Sequence, residues 1–211
     1  MEQTMQNEVK FWDKTAKNYA ARPIKDMASY ELTMERTRNY LAHGDEVLEL
    51  GCGSGSTSLL LSEHVKHITA TDISGEMVEI GRRKAADQGK DNVSFAQAEV
   101  FDASLDTKDY DVVLAYNLLH LVRDPAAAIR RVHGRIKPGG LFISKTVCLR
   151  GWASPWRVLL PLLQWTGLAP HVEMMSVKEL DGMMTRAGFE IIETGIFPAS
   201  PPARFIVARK I

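Results

Sequence analysis

Short apolar runs alternate with segments of helical period through the middle of the chain. The runs are continuously apolar or rich in β-branched residues, as strands of a covered sheet are. The predicted strands are residues 46–50, 67–71, 93–96, 110–116 and 141–147. The predicted helices between them are residues 55–64, 74–88 and 125–136, with Ser74 as a cap and Pro125 in a first turn. The alternation predicts an α/β fold with a parallel, doubly wound sheet covered by helices on both faces.

Two more helices are predicted before the first strand, in an N-terminal helical segment over residues 1–43. The first covers residues 2–20, and the second covers residues 26–42 and ends at a plausible capping glycine, Gly44. The apolar side of the first helix consists of Phe11, Trp12, Ala16 and Tyr19. This segment is predicted to precede the sheet and to take no part in its strand order.

The pattern changes after the fifth predicted strand. Residues 176–187 have helical period and end at Gly188, and residues 189–197 have strand character. Residues 198–202 contain three prolines and form a connection too short for a crossover helix. Residues 203–209 must therefore return antiparallel to the strand before them.

The glycine-rich segment Val47–Ser56 is the strongest indication of a ligand site. It predicts a buried strand that stops in a tight turn and leads into a helix, where an α/β sheet holds a nucleotide-like ligand. A dinucleotide fingerprint would need a glycine where Ser56 stands. The pattern is E-x-G-x-G-x-G, and the acid at its start, Glu49, would repel a pyrophosphate but attract an ammonium and a sulfonium. The motif therefore indicates S-adenosylmethionine (SAM), and it resembles motif I of the class I SAM-dependent methyltransferases.

Two further segments strengthen the resemblance. Residues 122–125 and 135–140, the second ending in Lys137-Pro138-Gly139-Gly140, are similar to the small-molecule branch of that family. The likeness is strong over about residues 45–147 and loose at both ends. It implies a Rossmann-like, seven-stranded sheet of order 3-2-1-4-5-7-6 with strand 7 antiparallel.

The resemblance implies a set of cofactor-binding residues. Asp72, twenty-one residues after Gly51, is placed to accept ribose hydroxyls, although a helix N-terminal acid can occupy the same position for its favourable dipole. Ile73 would lie against the adenine or in the core, and Glu99 would accept from the adenine amino group or be an exposed loop acid. The remaining predicted cofactor residues are Tyr19, Glu49, Gly51, Cys52, Gly53, Gly55, Val100 and Asn117. Tyr19 could equally be a core aromatic, and Asn117 an ordinary turn residue.

Composition limits the partners. The chain has 211 residues and a formal net charge of zero, so it is expected to form one domain over residues 1–211 without a nucleic-acid partner. The chain contains only two cysteines, and its N-terminus is too polar for a secretory signal, so a cytoplasmic location is expected. The sequence has no apolar run long enough to predict a transmembrane segment.

The chemistry implied by the resemblance needs little side-chain participation. Methyl transfer from a sulfonium is an in-line displacement whose leaving group is already activated, so positioning supplies most of the catalysis. No metal-ligand spacing is present, and metal-independent transfer is expected. His120, after the fourth strand, is the candidate general base, with a polar turn residue as the alternative.

An insertion over about residues 148–175 separates the fifth strand from the last helix. Within it, residues 151–165 hold three of the four tryptophans. Three explanations remain open: a lid over an apolar acceptor, a homodimer contact in a protein otherwise monomeric, or a patch for peripheral membrane contact. The sequence thus predicts a SAM-dependent methyltransferase for a small or lipid-like acceptor. The alternatives are a SAM-binding sensor or partner subunit without turnover and, less favoured, an NAD-dependent oxidoreductase.

Overall fold

The computed structural model describes residues 2–150, 164 and 169–211. The tryptophan-rich part of the predicted insertion, residues 151–165, lies outside the described residues except for Gln164. The helices are α1 (Glu2–Ala21), α2 (Met27–Arg38), α3 (Ser56–Leu61), α4 (Gly75–Asp87), α5 (Pro125–His133) and α6 (Val177–Arg186). The strands are β1 (Glu46–Leu50), β2 (His67–Asp72), β3 (Val93–Gln97), β4 (Tyr110–Tyr116), β5 (Ile136–Val147), β6 (Phe189–Ala199) and β7 (Pro202–Lys210).

All seven strands form one sheet in the order β3-β2-β1-β4-β5-β7-β6. Strands β1 to β5 pair in parallel, whereas β7 runs antiparallel to both of its neighbours. The predicted strand order and the antiparallel seventh strand are therefore confirmed. The short connection between β6 and β7 leaves room for a hairpin only, which explains why the last strand reverses.

Helices cover both faces of the sheet, and β4 shows why. Val113 and Ala115 join a buried cluster with residues of α5 and α6, such as Ile129 and Leu180. The alternating residues of β4, Val112 and Leu114, join a second cluster with residues of α2, α3 and α4. A strand apolar on both sides is buried on both sides, so the doubly wound prediction is confirmed.

Several predicted boundaries were wrong, among them the end of α5, which lies at His133 and not at Ile136. Helix α2 ends at Arg38, four residues before the predicted end. Strand β5 begins at Ile136, although Pro138-Gly139-Gly140 was predicted to be a turn before the strand. The pairing with β4 shifts there, since Tyr110 pairs with Ile136 but Val112 pairs with Leu141. The prolyl-glycyl segment is thus an irregularity inside the strand, where a Cβ on Gly140 would lie 2.6 Å from the Asp111 carbonyl oxygen.

Within the described ranges, no helix is long and apolar enough to cross a membrane.

Candidate active site

The carboxyl ends of the central strands open onto a cavity of about 1240 Å³. Strand β1 lies between β2 and β4. Successive strands are added on one side of β1 up to β3 and on its other side from β4 onward, so the direction in which the sheet grows reverses between β1 and β4. In an open α/β sheet, such a reversal leaves a crevice outside the strand ends that accepts ligands. Residues that follow β1, β2 and β4 line the cavity, including Gly51, Ile73 and Asn117.

The glycine loop after β1 has little space for side chains. Gly51, Gly53 and Gly55 have φ angles of 66°, 54° and 76°, a region that residues with a Cβ rarely adopt. A Cβ on Gly51 would lie 2.8 Å from Leu118 Cδ1, and one on Gly55 would lie 2.5 Å from Phe95 Cε1. The loop therefore packs tightly against Leu118 and Phe95, and Gly51 and Gly53 line the cavity.

Asp72, at the end of β2, ties this loop to the next helix. One carboxylate oxygen accepts the Gly53 N–H and the other accepts the Ser74 N–H, each at 2.9 Å. Burial raises the pKa of Asp72 above its ordinary value, against the effect of these hydrogen bonds. Since each oxygen of a carboxylate has two lone pairs, both oxygens can still accept a hydroxyl from the cavity.

The predicted adenine side of the site comes together beside Asp72. Ile73, Glu99 and Val100 all line the cavity. Glu99 is half-buried, and its pKa is raised by burial and by the nearby charges of Asp102 and Glu8. These three residues offer an apolar surface and one acceptor, which suits a flat heterocycle with an amino group.

Glu49, Cys52 and Gly55 do not belong to the cavity lining, in the part of the chain that the structure describes. Glu49 is 2% exposed and accepts a hydrogen bond from the Ser58 hydroxyl. Burial, reinforced by the charge of Asp72, raises the pKa of Glu49 to about 7. Cys52 packs in the core, and its N–H donates to the Thr71 carbonyl oxygen at 2.9 Å. Their assignment as cofactor residues stays a prediction.

Asn117 has the left-handed backbone conformation, with φ of 54°. Its N–H donates to the Lys145 carbonyl oxygen at 2.7 Å, which continues the sheet pairing one residue past β4. Strained backbone of this kind is often found at functional sites. Asn117 lines the cavity.

Helix α1 forms another wall of the cavity through Trp12 and Tyr19, whose rings meet edge to face with centroids 6.3 Å apart. Asp13 holds the helix in place, since it accepts the Ser74 hydroxyl at 2.6 Å and the Glu76 N–H at 3.3 Å. Burial and the charges of Asp72 and Glu49 raise the pKa of Tyr19, although its outer half is exposed. Tyr19 lies beside the glycine loop, with its Cε1 3.6 Å from a Cβ built on Gly53, and its contact with the cofactor stays a prediction.

The cavity lining includes residues that the sequence analysis did not assign to the site, among them Trp12 and His171. Trp12 precedes Tyr19 by seven residues, and this spacing places both on one helix face, so the signal was present. His171 had no such signal, because it follows the tryptophan-rich stretch in a segment without periodicity. The structure places it on the cavity wall together with the predicted His120.

His120 is half-buried, and burial lowers its pKa to about 4. It is therefore neutral near pH 7. Within residues 2–150 and 169–211, no three His, Cys, Asp or Glu side chains are grouped so that they could hold a metal ion.

Comparison with known proteins identifies the family. A family model described as a methyltransferase domain matches residues 16–194, which is most of the chain. The chain belongs to this methyltransferase-domain family. The match confirms the resemblance drawn from the glycine loop and the residues around it.

Curated relatives of this chain include two enzymes named for quinone pathways. A demethylmenaquinone methyltransferase from Clavibacter sepedonicus is 33% identical over 100 residues, covering 47% of this chain and 40% of the relative. A ubiquinone biosynthesis O-methyltransferase from Aeromonas salmonicida is 33% identical over 103 residues, covering 48% of this chain and 43% of the relative. The chain thus spans less than half the length of these relatives.

Solved structures confirm the fold of the methyltransferase domain. A magnesium protoporphyrin IX methyltransferase from Synechocystis PCC 6803, solved with bound SAM, has a TM-score of 0.74 and 17% identity, covering 99% of this chain and 97% of that chain. A SAM-dependent methyltransferase from Mesorhizobium loti has a TM-score of 0.70 and 22% identity, covering 88% of this chain and 99% of that chain.

Proposed function

We propose that this protein is a SAM-dependent methyltransferase acting on a small or lipid-like acceptor by in-line displacement, without a metal ion. The observation that carries the proposal is Asp72, a half-buried acid that lines a large cavity beside the glycine loop of a methyltransferase-domain chain. The ribose hydroxyls of the cofactor would donate to this acid.

The cavity residues suggest how the cofactor would lie. The ribose would donate to Asp72, and the adenine would rest on Ile73 with its amino group at Glu99. The methionine part would pass Gly51 and Gly53 toward Asn117, with Tyr19 over it. Each of these side chains or backbone segments lines the same cavity, which is why they can act on one ligand.

The size of the cavity leaves room for an acceptor. Ordinary ligand pockets measure about 300–1,000 Å³, and this cavity measures about 1240 Å³. Its wall beyond Asn117 is largely apolar, with Leu118, Leu121, Val147 and Val172. The relatives named for quinone pathways fit an acceptor with an apolar body.

The residues of this chain would act mainly by positioning. When bound, SAM supplies a methyl group on a positively charged sulfur that leaves as a neutral thioether. The left-handed backbone at Asn117 and the tight glycine loop would position the reacting end of SAM beside the apolar wall. Positioning of this kind can lower a barrier by roughly 7–11 kcal/mol, so no metal or acidic catalyst is needed.

Ligand-dependent thermal unfolding tests the proposal. SAM and its demethylated product, S-adenosylhomocysteine (SAH), should each raise the unfolding midpoint. A ligand at 100 times its dissociation constant adds about 2.7 kcal/mol, or about 5–10 °C for a chain of this size. NAD and NADP, tested at the same concentrations, should leave the midpoint unchanged. A shift with NAD but none with SAM or SAH would contradict the proposal and favour an oxidoreductase.

A further inference from the structure

Helix α2 packs on the sheet with hydroxyl groups where an apolar stripe is usual. Its buried residues are Thr33, Met34 and Thr37, and the two threonines are 2% and 0% exposed. A helix that covers a sheet ordinarily buries apolar side chains along one face. Buried hydroxyl groups cost free energy unless each has a hydrogen-bond partner, so the partners of the two threonines show what the helix holds.

The Thr37 hydroxyl group joins α2 to the end of β4. It donates to the Thr33 carbonyl oxygen at 2.8 Å, and its oxygen lies 2.6 Å from the Tyr116 hydroxyl oxygen. A threonine hydroxyl has a single hydrogen, which here is committed to Thr33, so Tyr116 donates and Thr37 accepts. Tyr116 lines the cavity, and its hydroxyl group is thus held by the helix.

The Thr33 hydroxyl group joins α2 to β5 in the same way. It donates to the Ser29 carbonyl oxygen at 2.6 Å and accepts a hydrogen bond from Lys145 Nζ at 2.9 Å. Lys145 Nζ also donates to the Ser29 carbonyl oxygen at 3.3 Å and lies 5.3 Å from the centre of the Phe197 ring. Because Lys145 is only 8% exposed, its ammonium group depends on α2 for these hydrogen bonds.

The two strand residues held by α2 flank Asn117. Tyr116 precedes it in the chain, and the Lys145 carbonyl oxygen accepts the Asn117 N–H at 2.7 Å. The φ angle of 54° at Asn117 is uncommon for a residue with a Cβ and costs free energy unless the surroundings hold it. Its neighbour along the chain and its neighbour across the sheet are each anchored to the same helix.

Neither threonine lines the cavity, in the part of the chain that the structure describes. Both are almost fully buried beneath α2. Any effect of their hydroxyl groups on a bound ligand must therefore pass through the strand residues that they hold.

We infer that Thr33 and Thr37 are positioning residues, which fix the backbone of Asn117 where the amino-acid part of the cofactor passes. This inference rests on the function proposed above. The two threonines act through Lys145 and Tyr116, and so they hold Asn117 from two sides. Helix α2 thereby sets where one end of the ligand lies without touching the ligand.

Two ligands separate an effect at Asn117 from an effect on the whole site. SAH contains the amino-acid part, whereas methylthioadenosine has the same adenosine and sulfur without it. The adenosine part is assigned to Asp72, which the Gly53 and Ser74 N–H groups hold in place. Thr37→Val should weaken SAH binding roughly 3- to 10-fold, the range for one lost neutral hydrogen bond. It should leave methylthioadenosine binding unchanged, and calorimetry measures both affinities.

A paired variant separates positioning from simple support of the fold. Thr37→Val alone leaves the buried Tyr116 hydroxyl group without its acceptor, which lowers stability. Adding Tyr116→Phe removes both partners and should restore most of that stability. A contact that only supports the fold would then leave SAH affinity at the parent value in the double variant. Positioning predicts that SAH binding stays weak there, and urea unfolding and calorimetry on the same samples decide.

Amide hydrogen exchange measures the effect at Asn117 itself. The Asn117 N–H should exchange faster in Thr37→Val and in Thr33→Val, while the Leu114 N–H, within the paired part of β4, keeps the parent rate. Thr37→Ser and Thr33→Ser keep the hydroxyl group and should behave as the parent does. Ser62→Ala removes another buried hydroxyl group, which bonds within its own helical turn, and it should change neither amide and neither affinity.

Failure of the inference can be told apart from failure of the proposed function. If SAH does not bind the parent protein, the proposed function is wrong. If SAH binds and keeps its affinity in Thr37→Val and in the double variant, the inference is wrong. It is equally wrong if methylthioadenosine is weakened as much as SAH, or if exchange accelerates as much at Leu114 as at Asn117.

Discussion

Asp72 holds the glycine loop and is the residue proposed to bind the ribose, which makes its substitution informative. Its oxygens hold the Gly53 and Ser74 N–H groups in place and would also accept ribose hydroxyls. Asp72→Ala should weaken SAH binding by roughly 30- to 150-fold, because about 2–3 kcal/mol of charge-assisted hydrogen bonding is lost. Titration calorimetry measures this, with Asp91→Ala as an exposed control. Unchanged affinity in Asp72→Ala would show that the ribose lies elsewhere.

Glu49 should make the stability of the protein depend on pH. Its pKa is raised from 4.5 to about 7 in the folded state, so the folded protein holds this proton more tightly than the unfolded chain. Stability therefore falls as the pH rises from about 4.5 to about 7, by about 3 kcal/mol in total. Glu49→Gln has no proton to lose. In urea unfolding, the free energy of unfolding of Glu49→Gln relative to that of the parent should rise by about that amount between pH 4 and pH 8.

A constant stability difference between the two proteins over that pH range would contradict this account of Glu49. The raised pKa of Asp72 acts in the same direction but is present in both proteins. The comparison with Glu49→Gln therefore isolates the buried glutamate.

At the scale of elements, the glycine loop depends on the close approach of α4 and β3. A Cβ on Gly55 would lie 2.5 Å from Phe95 Cε1 and 3.2 Å from Gly81 Cα, whereas one on Gly89 would meet nothing within 4 Å. Both glycines have positive φ, so both alanine variants are strained. Gly55→Ala should lose about 1–3 kcal/mol more stability than Gly89→Ala because of overpacking. Equal losses in chemical denaturation would mean that the loop can shift to accept the methyl group.

Helix α1 should affect ligand binding through its attachment to α4. Asp13→Ala removes the acceptor for the Ser74 hydroxyl and the Glu76 N–H. Hydrogen bonds to a charged group contribute roughly 1.5–3 kcal/mol, so the helix should loosen. We expect faster hydrogen exchange in α1 and about 10-fold weaker SAH binding. Lys14→Ala, an exposed position on the same helix, should change neither, and equal effects in both variants would count against a role for α1.

The elements show what the sequence could and could not predict. The strand order followed from the alternation of strands and helices, the family resemblance and the short connection before residues 203–209. The early start of β5 was missed because Pro138-Gly139-Gly140 has the composition of a turn, whereas pairing with β4 holds it in the sheet. His171 was missed because a long-range backbone bond between Glu173 and His120, which leaves no local pattern, brings it to the cavity.

For the whole molecule, the fold, the family and the cavity support one account. The family model covers residues 16–194, and the cavity lies where the sheet reverses its order. Residues from α1, from the ends of β1, β2 and β4, and from the segment before α6 meet there. The central claim is that this cavity holds SAM, with its ribose on Asp72 and its adenine at Glu99.

A crystal structure of the SAH complex tests that claim most directly. The account predicts both ribose hydroxyls within hydrogen-bond distance of the Asp72 carboxylate, about 2.5–3.0 Å, the adenine amino group at Glu99, and the sulfur facing Asn117. Density for SAH outside this cavity, or an adenosine whose ribose does not contact Asp72, would contradict it.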